Sequence, residues 1–398
     1  MIKSPSRISP AVRKRVNLVN LGCKVNRYDG ECLVRFYYDW GYKLDSQNPD
    51  LIIINTCVVT KTAEAKSRKM INRMRRRFPD AELLVTGCLV HNNQEINAIT
   101  LALPDRQKII AGRFPLTTRS RYWLKIEDGC DKGCSYCILP QIRGRPFSKP
   151  MERIIAEVEH VQVSGFPEIV IVGINIGRFE PGLPELIYEL SKVSDLPRIR
   201  ISSIEPEYIS QDLIRSLHTI PFCRHLHISL QHTDDAVLAS MNRTRFDIEG
   251  LLAHLGYEFP GINIGADIII GYPTETAEIF EEMVKKIERL PLSYLHVFPF
   301  SPRPGTEAHS IQDPVPQVEK RKRVKILKDL SDKKRIEYAR SFIGQHLDAV
   351  VEKKGGMVYG LTDNYLKVRI RITGRCLKEK IELLPVGVKD GEIIGEVV

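Results

Sequence analysis

Three apolar runs near the start of the chain each end in a small residue and then a cysteine: Asn17-Leu-Val-Asn-Leu-Gly-Cys23, Leu51-Ile-Ile-Ile-Asn-Thr-Cys57 and Glu82-Leu-Leu-Val-Thr-Gly-Cys88. They recur at roughly 30-residue steps, the length of one strand–helix–strand repeat. Helical patterns fill the gaps at 28–40 and 60–78. Short unbroken apolar runs alternating with helices predict a parallel sheet covered on both faces, with ligands outside the carboxyl ends of its strands. All three cysteines fall at those ends.

A second series follows. Strands are predicted at 122–126, 168–172, 198–202, 224–230, 264–269 and 293–299, and helices at 151–164, 183–194, 210–218, 234–241 and 274–290. Six strand–helix units fit an incomplete (β/α)6 version of the eight-unit barrel, in which the loops after the strands carry the chemistry. The segment Gln312-Asp-Pro-Val-Pro-Gln317 breaks the pattern before a long basic helix at 317–341. Beyond it, Gly355-Gly356, Thr362-Asp-Asn364 and Asp390-Gly391 punctuate short strands. Leu366, Val368, Ile370 and Ile372 alternate there with Tyr365, Lys367, Arg369 and Arg371, a half-buried strand with a basic outer face. A small β-barrel is expected. The overall expectation is α/β, with domains at 1–121, 122–341 and 342–398.

The 398 residues carry 59 Lys and Arg against 49 Asp and Glu, a net +10, with 43% apolar residues, enough to bury real cores. No apolar run approaches the roughly 18–20 residues of a membrane span, and the first ten residues lack a hydrophobic signal region. A cytoplasmic protein without a membrane partner is expected. Residues 66–77 hold seven cations and no acid, while Met70, Met74 and Phe78 form one apolar stripe. A solvated basic face is one reading of that helix. The net charge and the basic terminal strand favour phosphate contact. Lys320-Arg-Lys-Arg323 reads as a solvated helix face.

Nine cysteines, an odd number over a long chain, argue against a disulfide scaffold and leave metal or redox chemistry. Cys130, Cys134 and Cys137 stand in C-x3-C-x2-C spacing within Asp128-Gly-Cys-Asp-Lys-Gly-Cys-Ser-Tyr-Cys, just after the first barrel strand. Three thiolates on one loop converge on a soft metal centre, whereas a structural zinc wants four ligands. Gly129 and Gly133 free the backbone to wrap. A zinc knuckle with a distant fourth ligand and a Cys134–Cys137 redox pair are the alternatives. The latter belongs before a helix, and Ile138-Leu-Pro follows here. Cys32, Cys223 and Cys376 lack such company and are assigned to structure.

This loop, with Tyr136 before its last cysteine, resembles the signature of radical S-adenosylmethionine enzymes. Together with the three strand-end cysteines and the terminal barrel, it is similar to the methylthiotransferases over nearly the whole chain. Leu21-Gly-Cys-Lys-Val-Asn26 resembles the branch acting on N6-threonylcarbamoyladenosine beside the tRNA anticodon. Gln141-Ile-Arg-Gly-Arg145, Ser202-Ser-Ile-Glu-Pro206, Phe300-Ser-Pro-Arg-Pro-Gly-Thr306 and Gly360-Leu-Thr-Asp-Asn-Tyr365 point the same way. Gln231-His-Thr and Gly271-Tyr-Pro-Thr-Glu275 depart from the family's usual Gln-Ser-Gly and Gly-Phe-Pro-Gly-Glu.

The resemblance implies an enzyme with S-adenosylmethionine and two 4Fe-4S clusters. Cys130, Cys134 and Cys137 would hold the radical-generating cluster, and Cys23, Cys57 and Cys88 an auxiliary cluster delivering methylthio to adenine C2. The terminal barrel would be of the RNA-binding TRAM type. Tyr136, Gly173, Asn175, Ser203, Glu205, Gln231 and Asp267, in the cluster loop or near strand ends, are candidate cofactor contacts. Arg143, Arg145, Tyr365, Lys367, Arg369 and Arg371 are candidate contacts to an anticodon loop. A low-potential electron donor is a further expected partner, and a monomer is favoured. The isopentenyladenosine and ribosomal-protein aspartate branches remain alternatives, as does a non-catalytic zinc protein that binds RNA.

Overall fold

The computed structural model describes residues 14–91, 96–312, 315–370, 377–389 and 391–398. The chain is α/β and forms two compact units, each assembled from three stretches: Met1–Thr118, Asp128–Phe147 and Ser301–His309 in one, Arg119–Glu127, Ser148–Phe300 and Ser310–Val398 in the other. The expected boundaries at 121 and 341 do not coincide with this division. The cysteine loop after residue 127, read from sequence as part of the barrel, packs with the N-terminal sheet, and the terminal barrel packs with the partial barrel. Buried arginines hold both in place.

In the first unit five parallel strands lie in the order Lys43–Leu44, Arg15–Asn20, Leu51–Thr56, Glu82–Gly87, Ile99–Leu101. Every residue of Leu51–Thr56 is buried. Leu51 and Ile53 pack on one face with Tyr28 and Leu33 of the helix Lys24–Asp39, while Ile52 and Ile54 pack on the other with Ile71 and Met74. That two-sided burial is why the run is unbroken rather than alternating. The basic helix spans Lys61–Arg77, and the Thr60 side chain caps it by accepting from the Ala63 N–H at 3.1 Å. Its buried face is Ser67, Ile71 and Met74; Met70 and Phe78 are half-buried beside it. Lys66, Lys69, Arg73, Arg76 and Arg77 are exposed.

In the second unit, strands Tyr122–Lys125, Glu168–Val172, Arg198–Ile201 with Ser203–Ile204, His225–Gln231, Asn263–Ile270 and Tyr294–Pro299 are neighbours in chain order, and adjacent pairs are parallel. The third strand breaks at Ser202, splitting the array into sheets of three and four. Helices Met151–Val163, Leu183–Ser191, Gln211–Leu217, Asp235–Ser240, Ala277–Arg289 and Gln317–Arg340 match the expectation, and Ile248–Glu258 is an additional one. Alternate strand residues such as Leu124, Ile171, Ile201, Ile228 and Ile268 join the main core with helix residues such as Val158, Leu186 and Met283. The opposite strand face is therefore free to be polar. Leu347–Lys354, Met357–Thr362, Lys367–Ile370, Lys380–Lys389 and Glu392–Val397 close a small barrel. Val368 and Ile370 point into its core. Arg371, Ile372, Cys376, Asp390 and residues 313–314 of the predicted break lie outside the described residues. Among the described residues no helix is long and apolar enough to cross a membrane.

Candidate functional site

The parallel sheet of the first unit brings the three strand-end cysteines together. Cys57 directly follows Leu51–Thr56, Cys88 directly follows Glu82–Gly87, and Cys23 stands before the helix Lys24–Asp39. Burial pushes the Cys57 thiol up to about 11; the Val59 N–H opposes this, and the nearby Cys88 and Cys23 thiols add to it. Mutual destabilisation of thiolates marks a site that wants a cation or a cluster. Ser67 pins the Cys57 backbone, its hydroxyl accepting from the Cys57 N–H at 3.1 Å and donating to the Cys57 carbonyl at 2.9 Å. Asn26 Nδ2 donates to the Thr56 carbonyl at 3.0 Å and lies 3.7 Å from Cys88 Sγ.

The second trio is attached to the same unit by Arg143. Its side chain is 2% exposed and donates to Asp128 at 3.1 Å, to Asp29 Oδ2 at 3.5 Å and to Asn26 Oδ1. Burial disfavours its charge, but Asp128, Cys88, Asp29 and Cys23 outweigh that and raise its pKa. Arg143 is thus a buried structural cation, not the RNA contact expected from its place after the cluster loop. Asp29 is also held by Arg106 at 2.6 Å, both side chains fully buried. Cys130, Cys134 and Cys137 are all partly exposed. The Cys130 N–H donates to the Gly144 carbonyl at 3.0 Å, and Gly129 and Gly133 take φ of +98° and +66°, as the wrapping requires. Leu139–Arg143 forms a short helix after Cys137, contrary to expectation, because Pro140 sits in its first turn, where no N–H is needed.

Sequence reasoning missed a brace around this loop. The Ala308 N–H donates to the Ser135 carbonyl at 2.8 Å, Gln141 donates to the Gly305 carbonyl, and Arg303 pairs with Glu64 at 2.6 Å. The string Ser301-Pro-Arg-Pro-Gly-Thr306 therefore ties the loop to the basic helix. Tyr136 is half-buried within the loop.

The candidate cofactor contacts of the barrel unit separate into two groups. Asn175 and Gln231 lie at carboxyl ends of strands, with Ser203 in the short Ser203–Ile204 segment, and Gln231 takes φ +69°, an unusual backbone for a non-glycine residue. The Asn175 N–H donates to Glu127 Oε2 at 2.8 Å. The other three are committed within the protein. A Cβ on Gly173 would lie 2.8 Å from that Glu127 oxygen, so the missing side chain makes room for this carboxylate. Glu205 is held by both terminal nitrogens of Arg243, one at 3.1 Å. Asp267 lies in mid-strand and accepts from His227 at 2.9 Å and faces His296 at 3.4 Å. Burial would raise the Asp267 carboxyl, but these two imidazoles hold it below the usual carboxylate range.

Two family models match: residues 15–105 fit the uncharacterized protein family UPF0004, and residues 124–287 the radical SAM superfamily. Threonylcarbamoyladenosine tRNA methylthiotransferase MtaB of Chlamydia pneumoniae is 33% identical over 97% of this chain and 99% of its own. The chain belongs to the radical S-adenosylmethionine methylthiotransferase family. The cofactors of such an enzyme are S-adenosylmethionine and two 4Fe-4S clusters. A tRNA-2-methylthio-N(6)-dimethylallyladenosine synthase of Dehalococcoides mccartyi is 34% identical to the methylthiotransferase, over 79% of this chain and 81% of its own. Among solved structures, the radical S-adenosylmethionine methyltransferase TsrM of Kitasatospora setae superposes with a TM-score of 0.53 at 15% identity, covering 72% of this chain and 75% of that one, a likeness of fold.

Of the remaining RNA candidates in the methylthiotransferase, Arg145 is exposed. Lys367 lies 3.6 Å over the Tyr359 ring, and Arg369 pairs with Glu392 at 2.9 Å across a partly exposed surface. Tyr365 is not an open stacking platform. It precedes the strand in a left-handed turn (φ +65°), and its ring stacks on His225 with centroids 4.2 Å apart.

Proposed function

We propose that this methylthiotransferase modifies C2 of N6-threonylcarbamoyladenosine next to the anticodon of tRNA. The observation that carries the reading is the gathering of two cysteine trios onto one compact unit, with Arg143 buried among the groups that hold both. In this reading Cys130, Cys134 and Cys137 hold the radical-generating cluster, and Cys23, Cys57 and Cys88 the auxiliary one. The donor sets fit: three thiols each, with one position left for an outside ligand. The cofactors, when bound, supply the hydrogen abstraction and the methylthio sulfur that an aromatic C2–H demands and that no side-chain base provides.

The protein's own part is placement and charge. Arg143 offsets the charge of the Cys88 and Cys23 thiolates. Ser67 and Asn26 fix the backbone around Cys57, Asn26 also reaches the Cys88 sulfur, and the 301–309 segment holds the cluster loop in shape. Asn175, Ser203 and Gln231 present polar groups where barrel cofactors bind. Arg145, Lys367, Arg369 and the exposed cations of Lys61–Arg77 grip phosphates. The Arg369–Glu392 pair is exposed enough to be exchanged for a phosphate at little cost. The substrate branch follows the Chlamydia pneumoniae relative and the Leu21–Asn26 string. A tRNA substrate goes with a cytoplasmic location, reductive cleavage of S-adenosylmethionine calls for a low-potential electron donor, and we infer a monomer.

The test separates the two trios. Cys130→Ala should abolish 5′-deoxyadenosine formation after dithionite reduction, whereas Cys57→Ala should retain it yet yield no methylthiolated nucleoside. Mass spectrometry of tRNA nucleosides from cells lacking the gene should show loss of the methylthio form of threonylcarbamoyladenosine. Loss of the dimethylallyl form instead would reassign the substrate.

A further inference from the structure

The polar face of the barrel strands carries a cluster of metal-ligating side chains apart from the two cysteine trios. His227, Asp267 and His296 each offer one ligand atom, and these atoms all lie within 4.8 Å of one another. They come from three adjacent strands: Asp267 is the register partner of His296, and Gly265, two residues back, is the partner of His227. His227 Nε2 is 2.9 Å and His296 Nδ1 is 3.4 Å from the same oxygen, Asp267 Oδ1. Two imidazoles and a carboxylate thus converge on one point from one side. We propose that His227, Asp267 and His296 form a three-ligand site for a divalent first-row transition cation, with further positions open to a ligand oxygen. This donor set suits zinc or ferrous iron.

A second layer orients the ligands. His227 Nδ1 is 2.9 Å from the Tyr294 hydroxyl, and His225 Nε2 lies 2.9 Å from that hydroxyl on its other side. With a cation on Nε2, His227 carries its proton on Nδ1 and donates it to Tyr294, whose hydroxyl donates to His225. Fixing the far nitrogen of a metal-bound imidazole in this way sets its ring orientation and raises its basicity. The chain makes room for this layer at Gly265, where a Cβ would lie 2.2 Å from the Tyr294 ring. Absence of a side chain on the middle strand lets Tyr294 reach across it to both histidines. The site is also reachable, since the His296 side chain is 55% exposed while His227 is 6% exposed.

The experiment uses cluster-reconstituted full-length enzyme equilibrated with zinc, competed against a chromophoric chelator, with zinc K-edge fine structure to identify the ligands. The expected result is one zinc per chain with nitrogen and oxygen neighbours at about 2.0–2.2 Å. Its affinity should fall at least tenfold in His296→Ala and in Asp267→Asn. His296 is exposed, so its variant should fold, which matched circular dichroism would verify. Zinc found only with sulfur neighbours at about 2.3 Å, no bound zinc, or nitrogen–oxygen zinc that persists in both variants would overturn the site. The first two results would leave the cluster as a hydrogen-bonded array.

Discussion

Arg143 ties several parts of the candidate site together at one guanidinium. It satisfies Asp128, Asp29 and Asn26 while standing beside the Cys23 and Cys88 thiols. Arg143→Leu should strand Asp128 in a poorly solvated place and cost about 3–5 kcal/mol, the usual penalty for breaking a buried pair. Iron content after reconstitution should fall with it. Arg143→Lys should recover only part of either, since an ammonium cannot serve divergent partners as a guanidinium does. Thermal melting with iron and sulfide assays checks both. The sequence around Arg143 advertised a cation beside a cluster loop, and from there an RNA contact was a natural reading. Beside the local Asp128, its partners Asp29 and Asn26 lie 114 and 117 positions away on another element, and no local pattern reports such pairings. The cysteines themselves were legible, because spacing and strand-end position are local properties.

At the scale of elements, strands buried on both faces announced themselves as continuous apolar runs, and all six barrel strands fall within one or two residues of expectation. The helix Ile248–Glu258 was missed although Ile248, Leu251, Leu252 and Leu255 have helical spacing, because Gly250 and Gly256 dilute the signal. Polar residues on the inner strand face were read one at a time as cofactor contacts. Their pairing across strands depends on register, which an isolated sequence does not supply, so the bonds of Glu205 to Arg243 and of Asp267 to His227 are not legible from it. Gly265→Ala tests that register. The added methyl meets the Tyr294 ring and should cost roughly 1–3 kcal/mol in denaturant unfolding, as overpacking does. The same change to the nearby exposed Gly256, where nothing lies within 4 Å, should be neutral or slightly stabilising.

At the scale of the whole chain, the terminal barrel is fastened largely by arginines that one buried carboxylate holds in place. Glu168 is fully buried and receives Arg200 at 2.8 Å, Arg198 at 2.8 Å and Arg121 at 3.2 Å. Burial works against its ionisation, but the three guanidiniums prevail and drive its carboxyl far below the ordinary 4.5. A depressed folded-state value contributes stability that is complete above the unfolded-state value and drains away as pH falls beneath it. Melting temperature should therefore drop below about pH 4.5, and Glu168→Gln should flatten that acid slope while lowering stability at neutral pH. Removing residues 343–398 would uncover this network, so truncation should destabilise the barrel unit as well as weaken tRNA binding. Differential scanning calorimetry beside a salt-titrated binding assay separates the two effects.

The partners of those arginines on the terminal barrel are mainly main-chain oxygens. Arg198 donates to the carbonyls of Asp348 and Leu361, and Arg200 to those of Thr362 and Asp363. Main-chain acceptors leave that part of the joint indifferent to the side chains around them, whereas Glu352 and Asp363, paired with Arg121 and Arg224, and Tyr365, stacked on His225, are specific to it. Such a module can diversify its outer face toward new nucleic acids while those few positions are kept.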